Sequence, residues 1–200
     1  MNSKTTNKLA RFVSTVLVPP SFTIIIFTIF AFQLESELSK QAAAILISLV
    51  FGFIAPITLF LILRKKGKLA DQDASIKEER TFPFIMAIGF YSIGLILMIK
   101  FNLHIISIAF WFCYISNTLI TIFINKFWKI SAHAMGAAGP FTALITAFGL
   151  IGFLMLPIVI LVGWSRIELK CHTPSQVIAG ILLAFLSTYL QMSLIVKYFT

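Results

Sequence analysis

Six long stretches of this chain contain no Asp, Glu, Lys or Arg, and this spacing of charge limits what the chain can fold into. The stretches cover residues 12–34, 41–63, 84–99, 104–124, 132–164 and 174–196. A helix needs about 20 mostly apolar residues to cross the hydrocarbon core of a membrane. Only 12% of the residues are charged, whereas a soluble domain carries about 25%. The sequence therefore predicts one all-α domain over residues 1–200, a polytopic bundle of membrane-spanning helices.

The number of crossings depends on the stretch 132–164, which contains Gly149 and Gly152 near its middle. A turn there gives about seven transmembrane helices, with six as the alternative. From Ala134 to Trp164 there are 31 residues for two crossings, or roughly 23 Å for each helix. Because the hydrocarbon core is about 30 Å thick, this hairpin either stops short of the far side or has its ends sunk below the headgroups. In the first span, the pair Pro19-Pro20 predicts a bend.

Basic residues are concentrated on one side of this predicted bundle. Seven spans place the polar tail 1–11 and the loops 64–83, 125–131 and 165–173 on that side, with 13 of the 16 Lys and Arg residues. The positive-inside rule makes this the cytoplasmic side of the cell (inner) membrane. The same rule, together with anionic lipid headgroups, accounts for the net charge of +9 without nucleic acid as a partner.

Two of the three histidines, His133 and His172, lie where loops on this side meet apolar stretches. Arg166 precedes His172, and its planar guanidinium can form a two-pronged contact with phosphate oxygens. Ser131 precedes His133 and is typical of a helix N-cap, after which backbone amides point towards an anion. The small residues that follow, Ala134 and 136–139, fit either this role or close helix packing. These residues favour a phosphate-binding site.

The spacing around His172 resembles a motif of the type 2 phosphatidic acid phosphatase superfamily, a group of membrane lipid phosphatases. The third motif of that superfamily reads Ser-Arg-x5-His-x3-Asp. Here Ser165, Arg166 and His172 stand at the same spacing, and Gln176 replaces the final Asp.

The second motif of the superfamily, Pro-Ser-Gly-His, is matched by Ser131 and His133. Ile130 replaces its Pro, and Ala132 replaces its Gly. Together with the first motif, the resemblance extends over roughly residues 77–180.

The first motif, Lys-x6-Arg-Pro, is matched least. Arg80 corresponds to its Arg, and Pro83 lies three residues further on. The position seven before Arg80 holds Asp73, so Lys77, one helical turn away, is the nearest lysine that can serve.

The resemblance implies hydrolysis of a lipid or polyprenyl phosphate, as a monoester or a diphosphate. His172 would be the nucleophile that forms a phosphohistidine, and His133 would protonate the leaving alcohol and then activate water. The implied mechanism needs no metal and no cofactor. The residues expected to bind the phosphate are Arg166, Arg80, Lys77, Ser131 and Ala132.

Gln176 has two possible roles. It can accept the ring N–H of His172 and orient the imidazole, although it lacks the charge of an Asp. It also completes the pattern Thr173-Pro174-Ser175-Gln176, a capping box with Pro at the first helical position. Glu168 is a possible substitute carboxylate for His172.

Two other functions fit parts of the sequence. A membrane protein of the same fold could bind or transport a lipid phosphate without turnover. A membrane prenyltransferase is the second, because Asp71 and Asp73 could hold magnesium diphosphate, but that chemistry uses two Asp-rich motifs and the chain has one. An apolar tail with a phosphate describes phosphatidate, phosphatidylglycerophosphate and polyprenyl phosphates equally well, and nothing in the sequence specifies an oligomeric state.

Overall fold

A computed structural model of the protein describes residues 3–74 and 76–199, which are mostly helical and contain no β-strand. The prediction of an all-α fold is confirmed. A π-helical segment (Ser48–Ile54) joins the helices Leu38–Ile47 and Ala55–Lys65 into one continuous helix. The helices are α1 (Ser3–Val16), α2 (Pro19–Leu34), α3 (Leu38–Ile47), α4 (Ala55–Lys65), α5 (Thr81–Lys100), α6 (Ile105–Phe127), α7 (Ala132–Phe148), α8 (Leu156–Glu168) and α9 (Pro174–Phe199).

Five helical stretches of the described chain are long and apolar enough to cross a membrane, and the bent pair α1–α2 makes a sixth. The five are Leu38–Lys65, Glu78–Lys100, Ile105–Phe127, Ala132–Glu168 and Pro174–Phe199. The fourth of them doubles back on itself, since α8 packs against α7. Counting its two arms separately gives the predicted seven helices.

The first span is bent by 54° between α1 and α2, as the proline pair predicts. Pro19 and Pro20 occupy the first positions of α2, where a missing backbone N–H costs little. The polar tail expected over residues 1–11 is helical in its described part, because α1 already begins at Ser3. Ala10 and Val13 are buried while Lys8 is exposed, so this segment folds as an amphipathic helix that packs on α8.

The α7–α8 hairpin turns at Gly149, whose φ of +65° lies in the left-handed region that glycine adopts without steric cost. A short 3₁₀ segment, Gly149–Met155, follows and packs against α7. The two arms have 17 and 13 residues, or about 25 and 20 Å at about 1.5 Å per residue. Both arms are shorter than a hydrocarbon core of about 30 Å, and their polar ends lie side by side.

Glycines bring three helices together around the start of α7. A methyl group at Gly180 of α9 would come within 2.9 Å of the Ser131 carbonyl oxygen. A methyl group at Gly136 would come within 2.5 Å of the Pro19 side chain on α2. The small residues after Ser131 therefore do allow neighbouring helices to pack closely. This close approach places the first turn of α9, and the loop before it, against the first turn of α7.

Candidate anion-binding site

Arg166 lies in the last turn of α8 and is completely buried. Its Nη1 donates to Oδ1 of Asp73 at 2.7 Å and to the hydroxyl of Ser14. Its Nε and Nη2 have no hydrogen-bond partner among the described residues. A buried donor without a partner costs about 1–3 kcal/mol, and more when the group is charged. The Nε–Nη2 edge of the guanidinium is therefore a position where a bound anion would be stabilised.

His172 lies in the loop between α8 and α9 and is 7% exposed. Its backbone N–H donates to the carbonyl oxygen of Arg166 at 3.3 Å, which ties the histidine to the end of α8. Its Nδ1 lies 3.1 Å from Oε1 of Gln176. The same Oε1 accepts the backbone N–H of Thr173 at 3.2 Å, so this atom is the amide oxygen. Nδ1 of His172 therefore carries the ring proton, and Nε2 has a free lone pair.

Gln176 makes both of the interactions that the sequence suggests, a hydrogen bond with the His172 ring and a helix cap. Its oxygen accepts from the ring of His172 and from the backbone of Thr173, while its own backbone N–H donates to Oγ1 of Thr173 at 3.3 Å. The second and third of these bonds form the capping box at the start of α9. Gln176 thus connects the position of His172 to the start of that helix.

The surroundings of His172 are cationic. Burial lowers the pKa of His172, and the positive charges of Arg80, Lys129 and Arg166 lower it further, to about 3. The hydrogen bond to Gln176 acts in the opposite direction but is the weaker influence. The ring is consequently neutral at physiological pH, in a field that favours an anion.

Arg80 is 5% exposed, and its guanidinium donates to two backbone carbonyl oxygens. Its Nε bonds to Ala74 at 2.6 Å, and its Nη1 bonds to Ile130 at 3.1 Å. Arg80 thereby fastens the loop between α4 and α5 to the residue before Ser131. Lys77 is directed elsewhere, since its Nζ donates to the carbonyl oxygen of Lys126 at 2.9 Å, near the end of α6.

Ser131 is completely buried and is the N-cap of α7, because its Oγ accepts the backbone N–H of Ala134 at 3.3 Å. Its own backbone N–H donates to the carbonyl oxygen of Gln176 at 3.3 Å. The amides of Ala132 and His133 belong to the first helical turn, where N–H groups lack an acceptor within the helix. The half-buried ring of His133 lies within electrostatic range of the Arg166 guanidinium and of the His172 ring. The structure therefore brings both histidines to one site.

Asp73 joins this site from the loop between α4 and α5. Its Oδ2 accepts from Nη1 of Arg11 at 2.7 Å, and its Oδ1 accepts from Arg166. Burial alone would raise the pKa of Asp73, but the hydrogen bonds and charges of Arg11 and Arg166 lower it to about 2. Asp73 is thus paired with arginines, in contrast to the magnesium-binding role considered for it together with Asp71.

Sequence reasoning missed three contributors to this site. Arg11 and Ser14 belong to α1 and reach Asp73 and Arg166, and their spacing of three residues on an amphipathic helix is the signal that could have identified them. Lys129 donates from Nζ to the carbonyl oxygen of Cys171 at 2.7 Å, next to His172. The sequence signal that could have identified Lys129 is its position two residues before Ser131.

A cavity of about 130 Å³ begins beside Ala132 and Gly136 and extends between α2, α5, α6, α7 and α9. Most of its lining is apolar, and it reaches Phe110 and Tyr91 in the interior of the bundle. A few polar side chains, among them Asn117, also line it. The site at the start of α7 therefore adjoins an apolar space within the span.

Comparisons of the chain with protein-family models, with curated proteins and with solved structures gave no match. The chemical interpretation of this site therefore depends on its own contacts and charges. Those contacts place three features in one location: a buried arginine edge that has no acceptor among the described residues, a neutral histidine with a ring nitrogen lone pair, and further cations.

Proposed function

We propose that this protein is a membrane phosphatase that hydrolyses the phosphate of a lipid or polyprenyl phosphate. The observation that carries the proposal is the buried Nε–Nη2 edge of Arg166, which has no acceptor among the described residues and lies one short loop from His172. A phosphate on this edge would receive two parallel charge-assisted hydrogen bonds. Phosphoryl transfer needs mainly positioning and stabilisation of spread negative charge, and Arg80 and Lys129 add positive charge at the same place.

The proposed reaction proceeds in two steps. Nε2 of His172 attacks phosphorus, a P–N bond forms, and the P–O bond to the leaving group breaks. His133 donates a proton to the leaving oxygen. His133 then accepts a proton from water, whose oxygen attacks phosphorus and breaks the P–N bond, which releases phosphate and restores His172. The Nδ1–H tautomer held by Gln176 suits the first step, because it leaves the Nε2 lone pair free.

A lipid is the favoured substrate because the site lies where the apolar helices α7, α8 and α9 meet the loops between them. Ala132 lies in the first turn of α7 and also lines the apolar cavity within the bundle. A substrate with a phosphate at Arg166 could extend its apolar chain in that direction without crossing water. The 13 basic residues predicted to share one side support a cytoplasmic site in the cell membrane.

Purified protein tests the proposal with a panel of phosphatidate, phosphatidylglycerophosphate and polyprenyl mono- and diphosphates. We expect phosphate release from at least one lipid. His172→Ala should abolish it, and acid-labile phosphate should be trapped on the wild type but not on this variant. Near-normal turnover by His172→Ala would contradict the phosphohistidine mechanism.

A second candidate function is binding or transport of a lipid phosphate without turnover. It is favoured by Gln176, since an amide orients His172 but cannot stabilise a positive charge on the ring as a carboxylate does. Saturable binding of the same lipids without phosphate release would support this alternative.

A further inference from the structure

We infer that Asp73 and Ser14 are positioning residues that fix the guanidinium of Arg166 so that its Nε–Nη2 edge faces the phosphate. This inference rests on the proposed phosphate site and deepens it. Asp73 and Ser14 both act on Nη1 of Arg166. Neither side chain bonds to Nε or Nη2, which have no partner in the described part of the chain.

The shape of the guanidinium explains why Nη1 of Arg166 can be held by the protein while its Nε–Nη2 edge stays open. A guanidinium is a rigid plane with five N–H donors, and an oxyanion is bound most strongly by two adjacent parallel donors. With Nη1 already bonded to two acceptors, the Nε–Nη2 pair is the remaining intact edge. Because the plane is rigid, fixing Nη1 of Arg166 also fixes the direction of that edge.

Asp73 is itself held firmly enough to act in this way. Its second oxygen accepts from Arg11 at 2.7 Å, and its backbone N–H donates to Oδ1 of Asp71 at 2.7 Å. The next residue, Ala74, has a φ of +46°, which is strained for a residue with a side chain, and its carbonyl oxygen accepts from Arg80. Strained backbone of this kind persists only where the surrounding contacts determine it.

The charge balance also fits Asp73 as a positioning residue better than Asp73 as a competitor of the phosphate for Arg166. Four cations, Arg11, Arg80, Lys129 and Arg166, act on Asp73 or on His172. Two carboxylates act among them: Asp73 pairs with Arg11 and Arg166, and the charge of Asp71 acts on Arg80 and Lys129. The excess positive charge remains available for a phosphate dianion. Asp73 prevents these cations from repelling one another without occupying the open edge of Arg166.

Through Ser14 and Arg11, α1 becomes part of the site. Ser14 is 3% exposed, and it lies one helical turn after Arg11, which holds the other side of Asp73. A helix that served only as a membrane anchor would have no need to place a hydroxyl and a guanidinium around a carboxylate in this way.

The test compares Asp73→Asn and Ser14→Ala with wild type in the full-length purified protein. The control is Glu78→Gln, which removes a negative charge from the same loop at a side chain that is 69% exposed. The measurements are kcat/KM for the lipid phosphate that the panel identifies, and the affinity for orthovanadate from ligand-induced thermal stabilisation. We expect Asp73→Asn to weaken both by about tenfold, equivalent to about 1.4 kcal/mol, Ser14→Ala to weaken both by less, and Glu78→Gln to change neither.

A double-mutant cycle with Arg166→Lys separates positioning from a general loss of structure. If Asp73 acts through Arg166, Asp73→Asn should have little further effect on vanadate affinity in the Arg166→Lys background. Equal effects in both backgrounds would overturn the inference. If Asp73→Asn does not fold, Ser14→Ala decides, since it retains the ion pair.

The remaining outcomes separate the positioning role of Asp73 and Ser14 from the proposed phosphatase function. Unchanged or tighter vanadate binding by Asp73→Asn and Ser14→Ala, with an active wild type, would refute positioning and leave the phosphatase proposal standing. A wild type that neither binds vanadate nor releases phosphate would refute both.

Discussion

Replacing Gln176 by alanine would remove one oxygen that accepts two hydrogen bonds, and the two losses should appear in different measurements. The bond from the Thr173 backbone, at 3.2 Å, caps α9. Loss of a cap costs about 1 kcal/mol of folding free energy. The bond from Nδ1 of His172, at 3.1 Å, orients the ring. A net value of about 0.5–1.5 kcal/mol for such a bond corresponds to a fall in kcat of about 2- to 13-fold.

This loss should be far smaller than the factor of about 10⁴ that follows Asp-to-Asn replacement in a serine protease triad. There the new amide imposes the wrong imidazole tautomer, whereas alanine leaves the ring of His172 free to adopt either one. Gln176→Asp should preserve or raise kcat, because it restores a negative charge behind the imidazole and still caps the helix.

Thr173→Ala is the matched control for Gln176→Ala. It removes the Oγ1 that accepts the Gln176 backbone N–H at 3.3 Å, but it keeps the bond between His172 and Gln176. It should therefore lower the unfolding free energy by about 1 kcal/mol without lowering kcat. Steady-state phosphate release and denaturant unfolding in detergent measure the two effects. Equal kcat values for Gln176→Ala and Thr173→Ala would refute the orienting role and leave Gln176 as a helix cap.

Three further predictions concern pH, metals and orientation. The pKa of His172 is about 3 in the folded protein against an ordinary 6.5, so its neutral ring contributes stability that is complete above about pH 6.5 and is lost as the pH falls towards 3. Unfolding free energies of wild type at about pH 7 and pH 4 should therefore differ more than those of His172→Gln, and equal differences would contradict this assignment. Orthovanadate should inhibit turnover while EDTA leaves it unchanged, and magnesium-reversible inhibition by EDTA would contradict a metal-independent mechanism. In a variant without native cysteines, an impermeant thiol reagent applied to intact cells should label Ser36→Cys but not Lys66→Cys, and the reverse pattern would overturn the cytoplasmic orientation.

The sequence predicts the helices well because membrane insertion depends on local composition. Stretches without charge mark the spans, the proline pair marks the bend in the first span, and Gly149 marks the turn of the hairpin. The spacing of Arg166 and His172 is also a local property, since only five residues, at the end of α8 and in the loop after it, lie between them. Such features can be predicted from a single chain segment.

The contacts that complete the candidate site are not local. Ser14 and Asp73 lie 152 and 93 positions before Arg166, so only the packing of α1 on α8 and the path of the loop after α4 bring them together. Lys129 and Lys77 cannot be distinguished by sequence alone, because both are lysines in polar loops. Their different surroundings, beside Cys171 and beside the end of α6, depend on tertiary structure.

The turn of the α7–α8 hairpin also has a consequence for how the protein enters a bilayer. The segment Gly149–Met155 contains only apolar side chains and glycine, and Leu150 and Leu154 are 85% and 80% exposed at its surface. Because the arms are short, we expect this tip to end within the acyl chains of the opposite leaflet rather than in water. Insertion of the hairpin therefore requires no polar loop to be translocated. His133 and Arg166, at its two ends, enter from the same leaflet, and lipids below the tip must shorten or tilt to fill the remaining depth.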